Sequence, residues 1–472
     1  MPTTPAEDLP TFLARQAHAD LVTVLLEMAR DHEVVHARLT RMQLADQPGK
    51  LAAGFKKTLA TWKRSRKFYG YREASEFGRE LAGWLVQVER ELCTKDPATA
   101  LALFQAFIES DAAWFERADD SDGVIGDVVR SACQHWLRAA ARCGMHADVW
   151  PQRLLDLYSA DEYGAREPLL REAGLLLNEK AQRWLVGRLD TQLAERMAAE
   201  REQDRPSLEV FKLSGALTLL SESLGDPDVR VRACLHYSPE PNPMQRQSFV
   251  RAYIDANRPV DALVWLQGHW GHMESSRQGL LAEALEILGR FEESVPIRRA
   301  VFESSLSDYD LELWLVHLAE PARAEAIDRA RQLALVHKAP VCAATLLLKI
   351  GDARAAEEKL LADSTGIDGS SYSILLPLAK ALRDKDCLRG ETVVYRALLS
   401  AILDRGYARA YGHAARYWAR LREIAMTGVD LRPLASCDAF EAEIRSRHKR
   451  KTAFWAQMNG TQRDQHDHGH HD

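Results

Sequence analysis

Apolar residues recur with a helical period along almost the whole chain, and this recurrence limits the possible folds more than any other feature. Steps of three, four or seven residues separate the members of the first apolar stripe, Leu21, Leu25, Met28, Val35, Leu39 and Met42. A second stripe consists of Phe77, Leu81, Trp84, Leu85, Val88 and Leu92. Such steps place side chains on one face of an α-helix. Because hairpin turns between alternating apolar runs are absent, the sequence predicts an all-α protein.

A tight turn recurs from about residue 250 onward. Each copy has a small residue, four others and a second small residue. The copies are Asn257 with Ala262, Gly289 with Ser294, Ala319 with Ala324 and Gly351 with Ala356, and a less clear copy has Lys385 with Gly390. The first residues are 32, 30, 32 and 34 positions apart. Copies such as "EALEILGRFEESVPIRRAVFE" resemble tetratricopeptide repeats, although the consensus Trp and the late Pro are missing. We therefore predict a tetratricopeptide-like helical-repeat array, an α-α superhelix or α-solenoid with a concave binding face.

Changes in composition along the chain predict its domains. The charged stretch "LAERMAAEREQDRPSLE" indicates a boundary near residue 206. We predict an N-terminal helical segment at 1–45, a helical domain at 46–205 and the repeat array at 206–458. Residues 459–472 are polar and rich in His, so we expect a disordered tail there.

Composition limits the compartment and the partners. Of 472 residues, 46% are apolar and 28% charged, and the net charge of -6 gives no chain-wide attraction to polyanions. The seven cysteines are scattered without a CxC or CxxC pair, which is typical of a reducing compartment. The first residues have acids where a signal peptide has Lys or Arg, so we expect no signal peptide, and no run approaches roughly 18 apolar residues. We expect a cytoplasmic protein without membrane contact.

The sharpest catalytic motif is HEVVH, formed by His32, Glu33 and His36. On one helix, two His four residues apart can hold zinc while the Glu polarises a bound water. The continuation lacks a third ligand, because Leu39 and Met42 stand where Gly and His would be needed. His32 also completes the first apolar stripe, which favours a role in helix packing. A zinc-dependent hydrolase remains an alternative hypothesis.

A basic segment at 50–72 contains no acidic residue and is interleaved with aromatic residues. Basic side chains neutralise phosphates and aromatic rings stack on bases, so nucleic-acid binding is a second alternative. Its candidate residues are Lys56, Lys57, Lys63, Arg64, Arg66 and Lys67. Against it, Phe55 and Trp62 fall at helical spacing with Leu59, which predicts that these aromatic rings belong to the core.

Other motifs carry weaker signals. The loop "DDSDGVIGD" lacks the first and last ligands of a calcium site, so we interpret it as an acidic turn that caps a helix near Val124. The tail offers imidazoles for weak zinc, nickel or copper binding, at His466, His468, His470 and His471. No GxSxG or Gly-Lys-Ser motif is present. We therefore expect neither enzymatic activity nor a cofactor.

Several stretches resemble a bacterial family of unknown function. They are "FYGYREASEFGRELAGWL", "DDSDGVIGDVV", "YRALLSAILDRGYARAYGHAARYWARL" and "IRSRHKRKTAFWAQM", and the resemblance covers most of 50–458. That family is all-helical and related to the helical part of SWIM zinc-finger proteins. The finger itself, a CxC followed by CxH, is absent here. The resemblance implies an uncharacterised helical-repeat protein without the zinc module.

The leading hypothesis from sequence is an interaction scaffold or adaptor. It would bind another protein along the concave face of residues 250–430, because the repeat occurs without a catalytic constellation.

Overall fold

The computed structural model describes residues 8–43, 47–144, 147–200 and 205–458. Within these ranges the chain is helical and contains no strand, apart from one isolated parallel bridge between Tyr69 and Ala118. The prediction of an all-α protein is therefore confirmed. The chain divides into two compact units, Met1–Asn257 and Arg258–Asp472.

The helices of the first unit follow one another with short connections. They are α1 (Leu9–Ala14), α2 (His18–Asp31), α3 (Glu33–Gln43), α4 (Pro48–Arg64), α5 (Tyr71–Val88), α6 (Pro97–Ile108), α7 (Asp111–Phe115), α8 (Val124–Arg142), α9 (Trp150–Ser159), α10 (Pro168–Arg171), α11 (Glu179–Ala199), α12 (Leu208–Leu224), α13 (Pro227–Tyr237) and α14 (Pro243–Asp255). A π-helical turn extends α5, and two 3-10 turns lie at Ala147–Val149 and Ala173–Leu175.

Large aromatic side chains fill the core of the first unit. The second apolar stripe of the sequence, on α5, is buried as predicted. Trp84 stacks on Phe107 at a ring-centroid distance of 5.6 Å, and Trp114 meets Phe77 edge-on at 6.4 Å. Aromatic pairs in these geometries stabilise a core beyond the apolar area that they bury.

The acidic turn before α8 caps that helix. One oxygen of the Asp120 carboxylate accepts a hydrogen bond from the backbone N–H of Ile125, at 2.7 Å, and the other accepts one from Gly126, at 3.0 Å. A carboxylate in this position satisfies free N–H groups and interacts favourably with the helix dipole. The predicted capping turn near Val124 is therefore confirmed.

The first unit extends further along the chain than the boundary that we predicted near residue 206. Val210 and Leu217 of α12 and Val229 of α13 are buried in the same core as α4 to α8. Both helices pack against α11. The charged stretch around residue 200 thus connects two parts of one unit, because the helices after it bury their apolar faces on those before it.

The second unit consists of shorter helices. They are α15 (Pro259–Trp265), α16 (Glu274–Ile287), α17 (Phe291–Ser305), α18 (Asp308–Leu315), α19 (Ala322–Val336), α20 (Pro340–Lys349), α21 (Ala353–Ala362), α22 (Tyr372–Arg383), α23 (Leu388–Arg405), α24 (Tyr411–Met426) and α25 (Cys437–His448). Further helical residues lie at 452–458, and 3-10 turns lie at Gly271–Met273 and Ala408–Ala410. No helix in the described ranges is long and apolar enough to cross a bilayer.

Each turn predicted from the small-residue pattern lies between two consecutive helices. Gly289 and Gly351 have positive φ angles of 72° and 89°, a conformation that glycine adopts without steric cost. The second small residue packs inside at Ser294 and Ala356, both fully buried. The pattern fails after α18, where Ala324 is exposed.

Buried carboxylates join neighbouring helices of the second unit. Glu357 of α21 accepts hydrogen bonds at 3.0 Å from the backbone N–H groups of Arg389 and Gly390, at the start of α23. Glu391 is fully buried and accepts hydrogen bonds at 2.8 Å from Arg383 and Arg420. Such charge-assisted bonds fix the register of α21 to α24, of which the last three surround the cavity described below.

Candidate functional site

The first two helices leave their large apolar side chains uncovered. Every residue of α2 is described, and none is buried. The exposed side chains, which we call the N-terminal apolar surface, are Leu9, Phe12, Leu13, Val22, Val24, Leu25, Leu26 and Met28. Large apolar side chains exposed close together in this way typically mark an interaction site in a folded protein.

The helical geometry of α2 explains this exposure. Leu21, Leu25 and Met28 share one face of α2, yet Leu25 and Met28 remain 42% and 43% exposed. Val24 and Leu26 flank that face, about 100° to either side of Leu25, and are more exposed still. A helix that is apolar around much of its circumference is normally buried between other elements. Within the described residues, α2 lacks such cover.

The HEVVH motif does not lie on one helix. His32 ends α2 with an extended backbone, φ −128° and ψ 108°, and α3 begins at Glu33. The continuous helix that we predicted through His32 is therefore wrong, and its exposed ring does not serve as a helix-packing residue. His36 is also exposed, on α3.

Metal ligands are not gathered in the described part of the chain. No group of three His, Cys, Asp or Glu side chains there has a metal-binding arrangement, so His32 and His36 have no third ligand within it. The predicted tail ligands, His466, His468, His470 and His471, lie outside the described residues.

The basic segment divides into a buried aromatic side and a charged side. Phe55 is buried, Trp62 packs edge-on against Trp84 at 6.3 Å, and Tyr69 stacks on Phe77 at 4.0 Å. Phe55 belongs to the core and Trp62 packs against it, as their helical spacing predicts, while the contact of Tyr69 with the core was not predicted. Phe68 and Tyr71 remain exposed.

Acidic neighbours neutralise part of the basic segment. Lys67 pairs with Glu73 at 3.1 Å, which raises the pKa of Lys67 and lowers the pKa of Glu73. The hydroxyl of Tyr71 donates to Asp122, and this bond raises the pKa of Tyr71. The remaining candidate cations, Lys56, Lys57, Lys63, Arg64 and Arg66, are exposed.

Sequence reasoning missed a cavity in the second unit. Its volume is about 460 Å³, and it lies where α22, α23 and α24 meet the loop at 363–371. Three tyrosines line it, so we call it the tyrosine cavity: Tyr372, Tyr407 and Tyr417. The only available signal was the 34-residue step from Gly351 to Lys385, the longest in the repeat, which reflects the long loop after α21.

Close packing holds the loop against α23. A Cβ atom at Gly369 would collide with the backbone carbonyl of Ala397, so only glycine fits there. The Asp368 carboxylate accepts hydrogen bonds at 2.9 Å from the backbone N–H of Ser370 and at 2.8 Å from its hydroxyl. These bonds lower the pKa of Asp368. The loop thus forms one fixed wall of the cavity.

The described residues form a helical protein in which some apolar helix faces are not covered by other helices. The chain belongs to a family of unknown function, DUF6880, whose model matches residues 12–457. This confirms the predicted relation to an all-helical family without an assigned function. No curated protein and no solved structure matches the chain.

Proposed function

We propose that this protein works by binding another protein, as a scaffold or adaptor, and that its N-terminal apolar surface is one of the contacts. The observation that carries the proposal is the exposure of Val24, Leu25, Leu26 and Met28 on a helix without a single buried residue. Burying a side chain such as Leu contributes roughly 1.5–3 kcal/mol, so covering this surface would be strongly favourable.

The charges around this surface favour a protein partner. Asp20, Glu27 and Asp31 accompany Arg30 on α2, so acidic residues outnumber basic ones. Amphipathic helices that bind anionic membranes carry Lys and Arg on the polar face instead. A mixed rim of charges around an apolar centre is typical of protein interfaces.

A second contact surface is proposed along residues 250–430. Its support is the series of turns between helix pairs and the exposed apolar side chains of that region, among them Val260, Val264, Val316 and Val336. The tetratricopeptide-like superhelix, its concave face and the relation to the helical part of SWIM proteins belong to this proposal. Stacked helix pairs of this kind commonly present extended binding surfaces.

We also propose that the protein acts by binding and not by catalysis, and that it uses no cofactor. It is supported by the split of the HEVVH motif at His32. The scattered cysteines support a cytoplasmic location, since reducing compartments keep thiols free.

Quantitative affinity purification tests the proposal. Full-length wild type is compared with Leu25→Glu/Leu26→Glu, which places two charges in the N-terminal apolar surface. Leu208→Glu is the matched control, because Leu208 is an exposed leucine at the start of α12. We expect bound protein to be lost only in the double variant. Identical sets of bound proteins in all three samples would contradict the proposal.

Nucleic-acid binding remains a second candidate. It is favoured by the exposure of Lys57, Lys63, Arg64 and Arg66, which form no ion pair with the described residues. Electrophoretic mobility shifts with single-stranded and duplex probes at low salt test it, since phosphate contacts weaken as salt increases. We expect Lys63→Glu/Arg64→Glu to abolish binding and Lys338→Glu, an exposed lysine elsewhere, to preserve it. Equal binding by both variants would exclude this candidate.

A further inference from the structure

The tyrosine cavity has the size and composition of a small-molecule site. Ligand pockets commonly measure roughly 300–1,000 Å³, with apolar walls and a few convergent polar groups. At about 460 Å³ the tyrosine cavity lies within that range. Leu376, Leu398 and Ile402 form its apolar walls.

The polar groups of the cavity are mainly hydrogen-bond donors. Arg405 contributes a guanidinium group and makes no ion pair with any described residue. Arg416 donates to Nδ1 of His413 at 3.0 Å, which leaves the hydrogen of the neutral ring on Nε2. Among the described residues that line the cavity, none is Asp or Glu. The Asp368 carboxylate, in the loop beside the cavity, interacts electrostatically with Arg405 and offsets part of its charge. The remaining donors of the lining favour an acceptor or an anion.

The aromatic rings favour a flat ligand. Tyr417 lines the cavity and is buried, and burial raises the pKa of its hydroxyl. Tyr372 and Tyr407 are largely exposed. Aromatic side chains stack on flat apolar groups, and a tyrosine adds a hydroxyl that can orient the ligand.

Packing fixes the cavity before a ligand binds. A side chain at Gly369 would collide with Ala397, because the loop lies directly on α23. Glu391 ties α22 and α24 to α23 through Arg383 and Arg420. A site that is already formed loses little conformational entropy on binding.

We propose that the tyrosine cavity binds a small organic anion with a flat apolar body, of the aromatic carboxylate class. The carboxylate accepts hydrogen bonds from Arg405 and His413, and the ring lies between the tyrosines and the apolar wall. This site is separate from the N-terminal apolar surface, although its residues fall within the range 250–430 of the second proposed contact surface. Binding of the small probes is measured without a protein partner, so either proposal can fail alone.

Calorimetric titration of the full-length protein tests the proposal with a matched pair of probes, 3-phenylpropionate and its uncharged amide. We expect the carboxylate to bind roughly tenfold more tightly, because hydrogen bonds to a charged group are stronger than neutral ones. Equal affinities, or absence of binding by the carboxylate, would overturn the proposal.

Two variants and a control locate the site. Arg405→Gln should remove the preference for the carboxylate, and Ala410→Phe should block both probes, since Ala410 lines the cavity. Arg409→Gln is the control, because Arg409 is exposed nearby and does not line the cavity. If Ala410→Phe fails to fold, Arg405→Gln still tests the proposal, because the Arg405 side chain is exposed. Wild-type selectivity in Arg405→Gln would overturn the proposal.

Discussion

Helices α2 and α5 carry similar apolar stripes but have opposite surroundings. On α5, Leu81 and Val88 are fully buried and Trp84 is only 4% exposed. On α2, Leu25 and Met28 remain more than 40% exposed. Periodicity thus shows that a helix has an apolar face, whereas the rest of the fold determines whether that face is covered. The uncovered face of α2 is the feature that indicates a partner.

Truncation of a large side chain on each helix gives the largest expected difference. Trp84→Ala should lower the free energy of unfolding by about 3–5 kcal/mol, because it leaves a cavity beside Phe55 and Phe107. Leu25→Ala should cost less than about 1 kcal/mol, because its side chain is already partly in water. Urea unfolding followed by circular dichroism measures both. Equal losses would show that the α2 face is buried within the chain.

Glycine substitutions on α5 test how closely that helix packs. A Cβ atom at Gly78 would collide with Val124 of α8, whereas nothing lies within 4 Å of one at Gly83. Gly78→Ala should therefore destabilise the protein by about 1–3 kcal/mol. Gly83→Ala should stabilise it by about 1 kcal/mol, through its higher helix propensity. Thermal unfolding measures whether each variant raises or lowers the stability of the protein. Stabilisation by both variants would mean that α5 and α8 pack loosely.

A buried histidine makes the stability of the first unit depend on pH. Burial lowers the pKa of His135 from its ordinary value of 6.5, although Glu89 opposes this effect. Folding therefore favours the neutral ring: its contribution is complete above pH 6.5 and decreases as pH falls through the folded pKa. Wild type should thus lose more stability than His135→Phe, whose ring can stack on Phe104, when pH is lowered from about 8 to about 5. Parallel losses in urea unfolding would contradict this account.

Charge placed on the exposed face of α2 should have the smallest effect on folding. Leu26→Glu should change the free energy of unfolding by less than about 0.5 kcal/mol, because Leu26 is 53% exposed and makes no buried contact to lose. Differential scanning calorimetry of the purified chain measures this change. A loss comparable with that of Trp84→Ala would remove the distinction between the two helices.

Local patterns predicted much of the fold. The α5 stripe, the capping turn at Asp120 and the turns at Gly289 and Gly351 depend on residues close together in sequence, and the structure has them where they were predicted. The break at His32 was not predicted, because no Gly or Pro marks it.

Features that depend on distant residues escaped prediction. The boundary near residue 206 differs from the observed division, because α12 packs back on α11. The tyrosine cavity combines a loop, three helices and the contact of Gly369 with Ala397, none of which produces a local pattern. The exposure of α2 likewise depends on where the other helices lie, which a local sequence pattern does not show.

Methionine-oxidation footprinting tests the central claim, that a partner covers α2, most directly. In dilute purified protein Met28 should react readily and the buried Met458 slowly, while Met244 and Met426 report full exposure. In intact cells we expect Met28 to be protected and Met244, which lies outside both proposed contact surfaces, to react as before. Equal reactivity of Met28 in cells and in the purified chain would contradict the claim.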